Sequence, residues 1–237
     1  MTRIRGAPQV PTELRGRRVR LRALNADDFD QWSEVRRRCR DWLLKWEPQT
    51  VPGRPDPTET RHAFASRCLA REREWQLGTG YGFGIFVDGR FAGEINLSAV
   101  QRGPYQNAYI GYWIDRGQAG NGYMPESLVV VARFAFEDLR LHRVQVSIIP
   151  RNQPSRRVVE KVGLRDEGLA RRYLQIAGVW EDHIRYAMTV EEWQERGDDL
   201  VRDWLDESTM AEAVSSYADE PPGGPRTPAG PSTRAGA

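Results

Sequence analysis

Between Ile114 and Glu126 an apolar run ends at Asp115, glycines fall at Gly117, Gly120 and Gly122, and a second apolar run begins near Met124. Glycine carries no Cβ, so a ligand can come close to the main chain and the turn can take left-handed backbone angles. The first amides of a helix opening there have no partner within the helix, and the helix dipole adds partial positive charge. Such a turn suits a pyrophosphate. Pro125 fits the first helical turn, where a missing N–H costs nothing. Two nucleotide motifs are excluded. Gly117 and Gly122 have P-loop spacing, but Tyr123 and Met124 stand where Lys and Ser or Thr are required. Gly120 and Gly122 open a dinucleotide fingerprint, but Pro125 occupies its third glycine position. Further on, Asn152-Gln153-Pro154-Ser155 reads as a helix start carrying a hydroxyl. The cysteines Cys39 and Cys68 and the histidines His62, His142 and His183 show no metal-ligand spacing, so neither a metal nor a disulfide framework is expected.

These groups need elements to hold them. Arg17 to Leu24 alternates basic and apolar residues and predicts a first strand. Asn25 or Asp27 caps a helix running to about Cys39, with Phe29, Trp32 and Val35 at helical spacing. The segment from Arg40 to Pro57 is aromatic and then rich in proline, which predicts an irregular lid. Thr58 opens a second helix. Two strands joined by Asp88-Gly89 follow, a dipeptide suited to the positive φ angles of a type I′ turn. Asn107 to Asp115 is the next strand, then the glycine turn and an apolar helix. His142 to Ile149 is a strand, Asn152 to Gly163 a loop and short helix, and two strands follow at about 165–176 and 180–190. Thr189 to Glu192 reads as a capping box for a last helix ending near Leu205. The order β-α-α-β-β-β-α-β-α-β-β-α predicts an α/β chain with one mixed sheet flanked by helices.

At this point the chain resembles the GNAT superfamily, whose acyl-CoA signature is Gln/Arg-x-x-Gly-x-Gly/Ala between strand four and a long helix. Gly120-Asn121-Gly122 matches the glycines, while the Gln/Arg position falls on Gly117, flanked by Arg116 and Gln118. Asn152 to Ser155, followed by Glu160 to Leu164, looks like the GNAT stretch bordering the pantetheine and thiol. Glu167-Gly168, Tyr173, Gly178, Trp180 and Asp182, together with Ile110 to Ile114, resemble the RimJ/RimL branch of ribosomal-protein N-terminal acetyltransferases. The resemblance covers about 17–192. It implies a mostly antiparallel sheet splayed at strand four, acetyl-CoA as cosubstrate, and direct transfer of acetyl to a protein N-terminal α-amine. For RimJ the acceptor is an alanine.

The resemblance also implies site roles. Trp113 and Ile114 polarise the thioester through a main-chain N–H. Gly117, Gln118, Ala119, Gly120, Asn121, Gly122, Asn152 and Ser155 hold the cofactor. Many GNAT enzymes place a tyrosine acid where Val159 stands here, so Ser155 is the candidate acid. The base glutamate of strand four is replaced by Tyr109, and Glu94 on the neighbouring strand is the candidate base. Tyr109, Tyr173, Trp42 and Asp182 are candidates for the acceptor side. A small-molecule N-acetyltransferase acting on an aminoglycoside, polyamine or amino acid, and an acyl-CoA-binding regulatory module, stay open as alternatives.

Composition is compatible with this. The chain has 237 residues, 39% hydrophobic and 10% aromatic, enough for one sizeable core. Thirty-five Lys and Arg stand against 33 Asp and Glu, a net +2, so no bulk field points to nucleic acid. No run has the length of a membrane span and no leader is read at the start, so a cytoplasmic protein is expected. Residues 1–16 are expected to be loose, 17–206 to form the catalytic domain, and 207–237, rich in Ala, Pro and Gly, to be disordered.

Overall fold

The computed structural model describes residues 13–48 and 56–205. The strands are β1 (Glu13–Arg15), β2 (Val19–Arg22), β3 (Tyr81–Val87), β4 (Arg90–Gln101), β5 (Asn107–Ile114), β6 (Arg143–Ile148), β7 (Arg165–Ile176) and β8 (Val179–Thr189). The helices are α1 (Phe29–Arg38), α2 (Arg40–Leu43), α3 (Arg61–Leu77), α4 (Tyr123–Arg133), α5 (Gln153–Val162) and α6 (Val190–Trp204). All eight strands form one sheet in the order β1-β2-β3-β4-β5-β6-β8-β7. Every neighbouring pair is antiparallel except β5 and β6, which run parallel over Asn107–Tyr109 and Arg143–Gln145.

Local chemistry accounts for most boundaries. Asp88 and Gly89 both have positive φ, 49° and 74°, as a type I′ hairpin requires. Thr189 and Glu192 form a reciprocal capping box at the start of α6. Three expectations are corrected. The first strand is a hairpin of β1 and β2, in which Gly16 N–H donates to Val19 C=O, so the ordered domain begins before Arg17. The lid segment is helical through α2 and one 3-10 turn to Trp46, because its prolines begin only at Pro48. The second helix is capped by Thr60, whose hydroxyl accepts from Ala63 N–H, while Thr58 is held in a turn by Asp56. Residues 49–55 of the lid, the first twelve residues and the tail after 205 lie outside the described residues.

The sheet separates two apolar clusters. The larger packs α4, α5 and α6 against one face, around Phe83, Ile95, Leu128, Phe134 and Met188. The smaller holds α1, α2 and α3 on the other face, around Trp32, Phe64, Phe86 and Phe91. Each fully buried phenylalanine or leucine contributes about 1.5–3 kcal/mol. Glu126, with no exposed surface, ties the clusters' scaffold together from α4: its carboxylate accepts from Arg18 N–H, Val19 N–H and the Arg18 side chain.

Candidate active site

After Tyr109 and Gln145 the parallel pair stops bonding and the two strands part. Alternation then decides what faces the gap. Asp115 N–H donates to Ala92 C=O on β4, so the main-chain groups of residues 115, 113 and 111 point toward β4. Those of Ile110, Tyr112 and Ile114 point into the gap instead. Gly93 lets β4 and β5 approach here, since a Cβ on it would lie 2.3 Å from Trp113 O. A cavity of about 450 Å³ fills the gap and reaches both faces of the sheet.

On the α4 face the cavity is bordered by main chain. Gln118, Ala119, Gly120 and Gly122 line it, followed by the first turn of α4 at Tyr123 to Pro125. Gly120 and Gly122 take φ of 88° and 85°, a left-handed region costly to other residues, and nothing lies within 4 Å of where a Gly120 Cβ would be. Asp115 braces the loop: its carboxylate accepts from Gly117 N–H at 3.0 Å, from the Cys39 thiol and from Arg38. Burial works to raise the Asp115 pKa, but the Arg38 pair and the Gly117 amide hold it below the usual carboxylate value. The α5 end supplies Asn152, Ser155, Arg157 and Lys161. Asn152 caps α5, its Oδ1 accepting from Ser155 N–H at 3.4 Å. The Ser155 hydroxyl donates to Tyr112 Oη at 3.1 Å, and the Tyr112 hydroxyl donates to Ser155 C=O at 3.1 Å. Burial pushes the Tyr112 phenol well above its ordinary range, so it keeps its proton at neutral pH.

On the α1 face the walls are side chains from distant segments. Trp42, Trp46 and Glu47 come from the lid, Ser147 from β6 and His183 from β8. The lid is pinned from two sides. Glu47 forms a two-pronged pair with Arg36, at 2.6 and 2.7 Å, and its C=O accepts from Ala177 N–H in the β7–β8 turn. Lys45 sits over both Trp42 and Trp46, and Arg151 over Trp46.

The gap thus brings together Trp42, Trp113, Ile114, Gln118, Ala119, Gly120, Gly122, Asn152 and Ser155. Gly117 and Asn121 lie on the outer side of the loop, Asn121 holding Gln118 C=O and Arg18. Of Trp113 and Ile114, it is Ile114 whose amide faces the gap. Glu94 is placed elsewhere. It is 3% exposed, with one oxygen accepting from Trp32 Nε1 at 2.6 Å and the other paired with Arg67. Tyr109, Tyr173 and Asp182 also stand outside the cavity wall. Tyr109 and Tyr173 are neighbours on the α1 face, where burial and Tyr173 together raise the Tyr109 pKa, and Asp182 accepts from Arg172 N–H at 2.7 Å. The residues that sequence reading missed are Tyr112, Ser147 and His183. Strand alternation from Ile110 puts Tyr112 on the α5 face. The other two carry no such local sign.

A sheet opened between two parallel strands, with a glycine loop and a helix start on one side, defines an acyl-CoA-dependent type of transferase fold. Residues 18–165 match the Acetyltransferase (GNAT) domain family. The chain is 34% identical to "Probable N-acetyltransferase YjcK" of Bacillus subtilis, over 72% of this chain and 93% of that protein. It is 29% identical to the [Ribosomal protein uS5]-alanine N-acetyltransferase of Escherichia coli, over 70% and 86%. Mycobacterium smegmatis RimJ, solved in complex with CoA-disulfide, superposes with a TM-score of 0.73 at 32% identity, covering 81% of this chain and 92% of that one. The chain belongs to the GNAT acetyltransferase family and is an acetyltransferase. Among the described residues no His, Cys, Asp and Glu group could hold a metal ion, and no helix is long and apolar enough to cross a membrane.

Proposed function

We propose that this enzyme moves the acetyl group of acetyl-CoA onto the α-amine of a protein N-terminus, with an alanine of a ribosomal protein as the expected acceptor and the cytoplasm as the place of reaction. The observation that carries this reading is the two-sided cavity. A main-chain cradle lies on the α4 face and an aromatic chamber on the α1 face, so donor and acceptor can meet across the sheet without exchanging places. The residues fit the donor. Gly120 leaves an open approach at positive φ, the first amides of α4 lack helical partners, and Arg157 and Lys161 add cations along α5. The Ile114 amide faces the gap where the thioester carbonyl would be polarised. Ser155, hydrogen-bonded to Tyr112, returns a proton to the departing thiolate.

The acceptor chamber favours an α-amine. Its lining carboxylate, Glu47, is already paired with Arg36, so no free anion draws in a polycation. An α-amine loses its proton near 7.7–8.0, against about 10.4 for a lysine side chain, and so needs little help. Glu94, committed to Trp32 and Arg67, is better read as a buried strut under β4 than as the base.

The test is transfer from labelled acetyl-CoA to peptides beginning Ala, Ser or Met, to a peptide with a blocked terminus and an internal lysine, to spermidine and to an aminoglycoside. The expected outcome is labelling of free Ala or Ser termini alone. Labelling confined to spermidine or the aminoglycoside overturns the acceptor while leaving the donor site intact.

A further inference from the structure

We propose that His183 is the base that takes the proton from the attacking amine; this rests on the acetyl-transfer reading above but not on which amine is acceptor. His183 is 3% exposed, lines the cavity and lies on β8. Its Nδ1 is 3.0 Å from Glu181 C=O. A carbonyl only accepts, so Nδ1 carries the hydrogen and Nε2 of the neutral ring is a free lone pair. Among the described residues nothing bonds Nε2, and it is not among the fully enclosed polar atoms, which leaves it open to the cavity. Register puts it on the α1 face: Ser147 pairs with Arg185, and His183 is two residues from Arg185 on the same side of β8. Ser147 lines the same cavity from that face, its Oγ enclosed and without a hydrogen-bond partner among the described residues.

The neighbouring acids and phenols are already engaged. Glu94 is held by Trp32 and Arg67, Glu47 by Arg36, Glu181 by Arg151, and Asp182 by the Arg172 amide. Tyr173 meets the His183 ring edge-on at 5.8 Å, with Arg185 above Tyr173. Among the described residues, Glu181, Asp182 and Arg185 on β8, Tyr173 on β7, Arg151 after β6, Glu47 of the lid, and Arg157 and Lys161 of α5 on the same cavity are the titratable and charged groups that face it.

The step balances as follows. An ammonium acceptor gives one proton to Nε2, and the freed lone pair attacks the thioester carbon. The C–S bond breaks with its electrons passing to sulfur. The nitrogen sheds its second proton as the amide forms, the thiolate takes a proton to become CoA thiol, and one proton leaves through His183 to water.

His183→Gln keeps the shape of the side chain and loses the base; His183→Ala opens room for added imidazole. With whichever amine the wild type accepts, both variants should lose about 10²–10³-fold in kcat while acetyl-CoA still raises their melting temperature. The acid-side rise of the wild-type kcat profile should vanish in His183→Gln, and imidazole should restore part of the His183→Ala rate. A folded His183→Gln enzyme with kcat within twofold of wild type and an unchanged profile overturns the proposal. Should both variants fail to fold, a wild-type kcat with no rise on the acid side of its pH profile overturns it, and a rise there supports it. If N-terminal peptides are not acetylated but another amine is, the acceptor reading fails and the His183 test runs unchanged on that amine.

Discussion

The two sides of the cavity are built by opposite means. On the α4 face the cofactor loop offers main-chain atoms of one short stretch, 114 to 125, backed by a helix of buried residues and joined by Asn152 and Ser155 from the start of α5. On the α1 face the walls are side chains gathered from residues 42–47, 147 and 183, held by pairs such as Arg36 with Glu47 and Arg151 with Glu181. A backbone cradle depends on φ angles and on close approach, which many side chains can surround. A chamber of side chains depends on identities at scattered positions. The first can stay fixed while the second changes acceptor.

This contrast can be broken or sharpened by substitution. The largest effect is expected from Glu126→Ala, which leaves the Arg18 and Val19 amides and the Arg18 guanidinium without their buried acceptor. A loss of about 3 kcal/mol of unfolding free energy in urea is expected. A change below about 0.5 kcal/mol would show that the loop side does not depend on this tie. Next, Gly120→Ala adds a methyl group that meets nothing within 4 Å, so its cost is conformational alone, about 1–2 kcal/mol at a φ of 88°. KM for acetyl-CoA should rise about tenfold, with the acceptor KM unmoved. The smallest effect is expected from Glu47→Gln, which weakens the Arg36 pair on the other side of the sheet. The acceptor KM should rise about threefold and the acetyl-CoA KM stay constant. If Gly120→Ala and Glu47→Gln each move both KM values, the two sides are not separable.

The same division explains what the sequence made legible. The glycine turn, the Asn152 cap and the Thr189 capping box are local signals: each needs only residues within one turn of one another. The hairpin at Asp88-Gly89 is of the same kind. The three-residue hydrogen-bonded stretch between β5 and β6 is not, because two strands separated by a helix must meet before their divergence exists. Glu94 misled for that reason. Its place on the strand next to β5 is readable, but its capture by Trp32 and Arg67 depends on α1 and α3 packing over that face. His183 was equally hidden, a lone histidine whose meaning comes from the cavity it borders.

The smaller apolar cluster has a further consequence. Trp32, Phe64, Phe86 and Phe91 gather α1, α2 and the first half of α3 over one face, while Trp75 near the end of α3 packs against Tyr81 and Phe83 of the larger cluster. This layer also reaches the loop side, because the Cys39 thiol donates to Asp115, which accepts from the Gly117 amide. A change that loosens the packing around Cys39 therefore reaches the cradle as well as the acceptor wall.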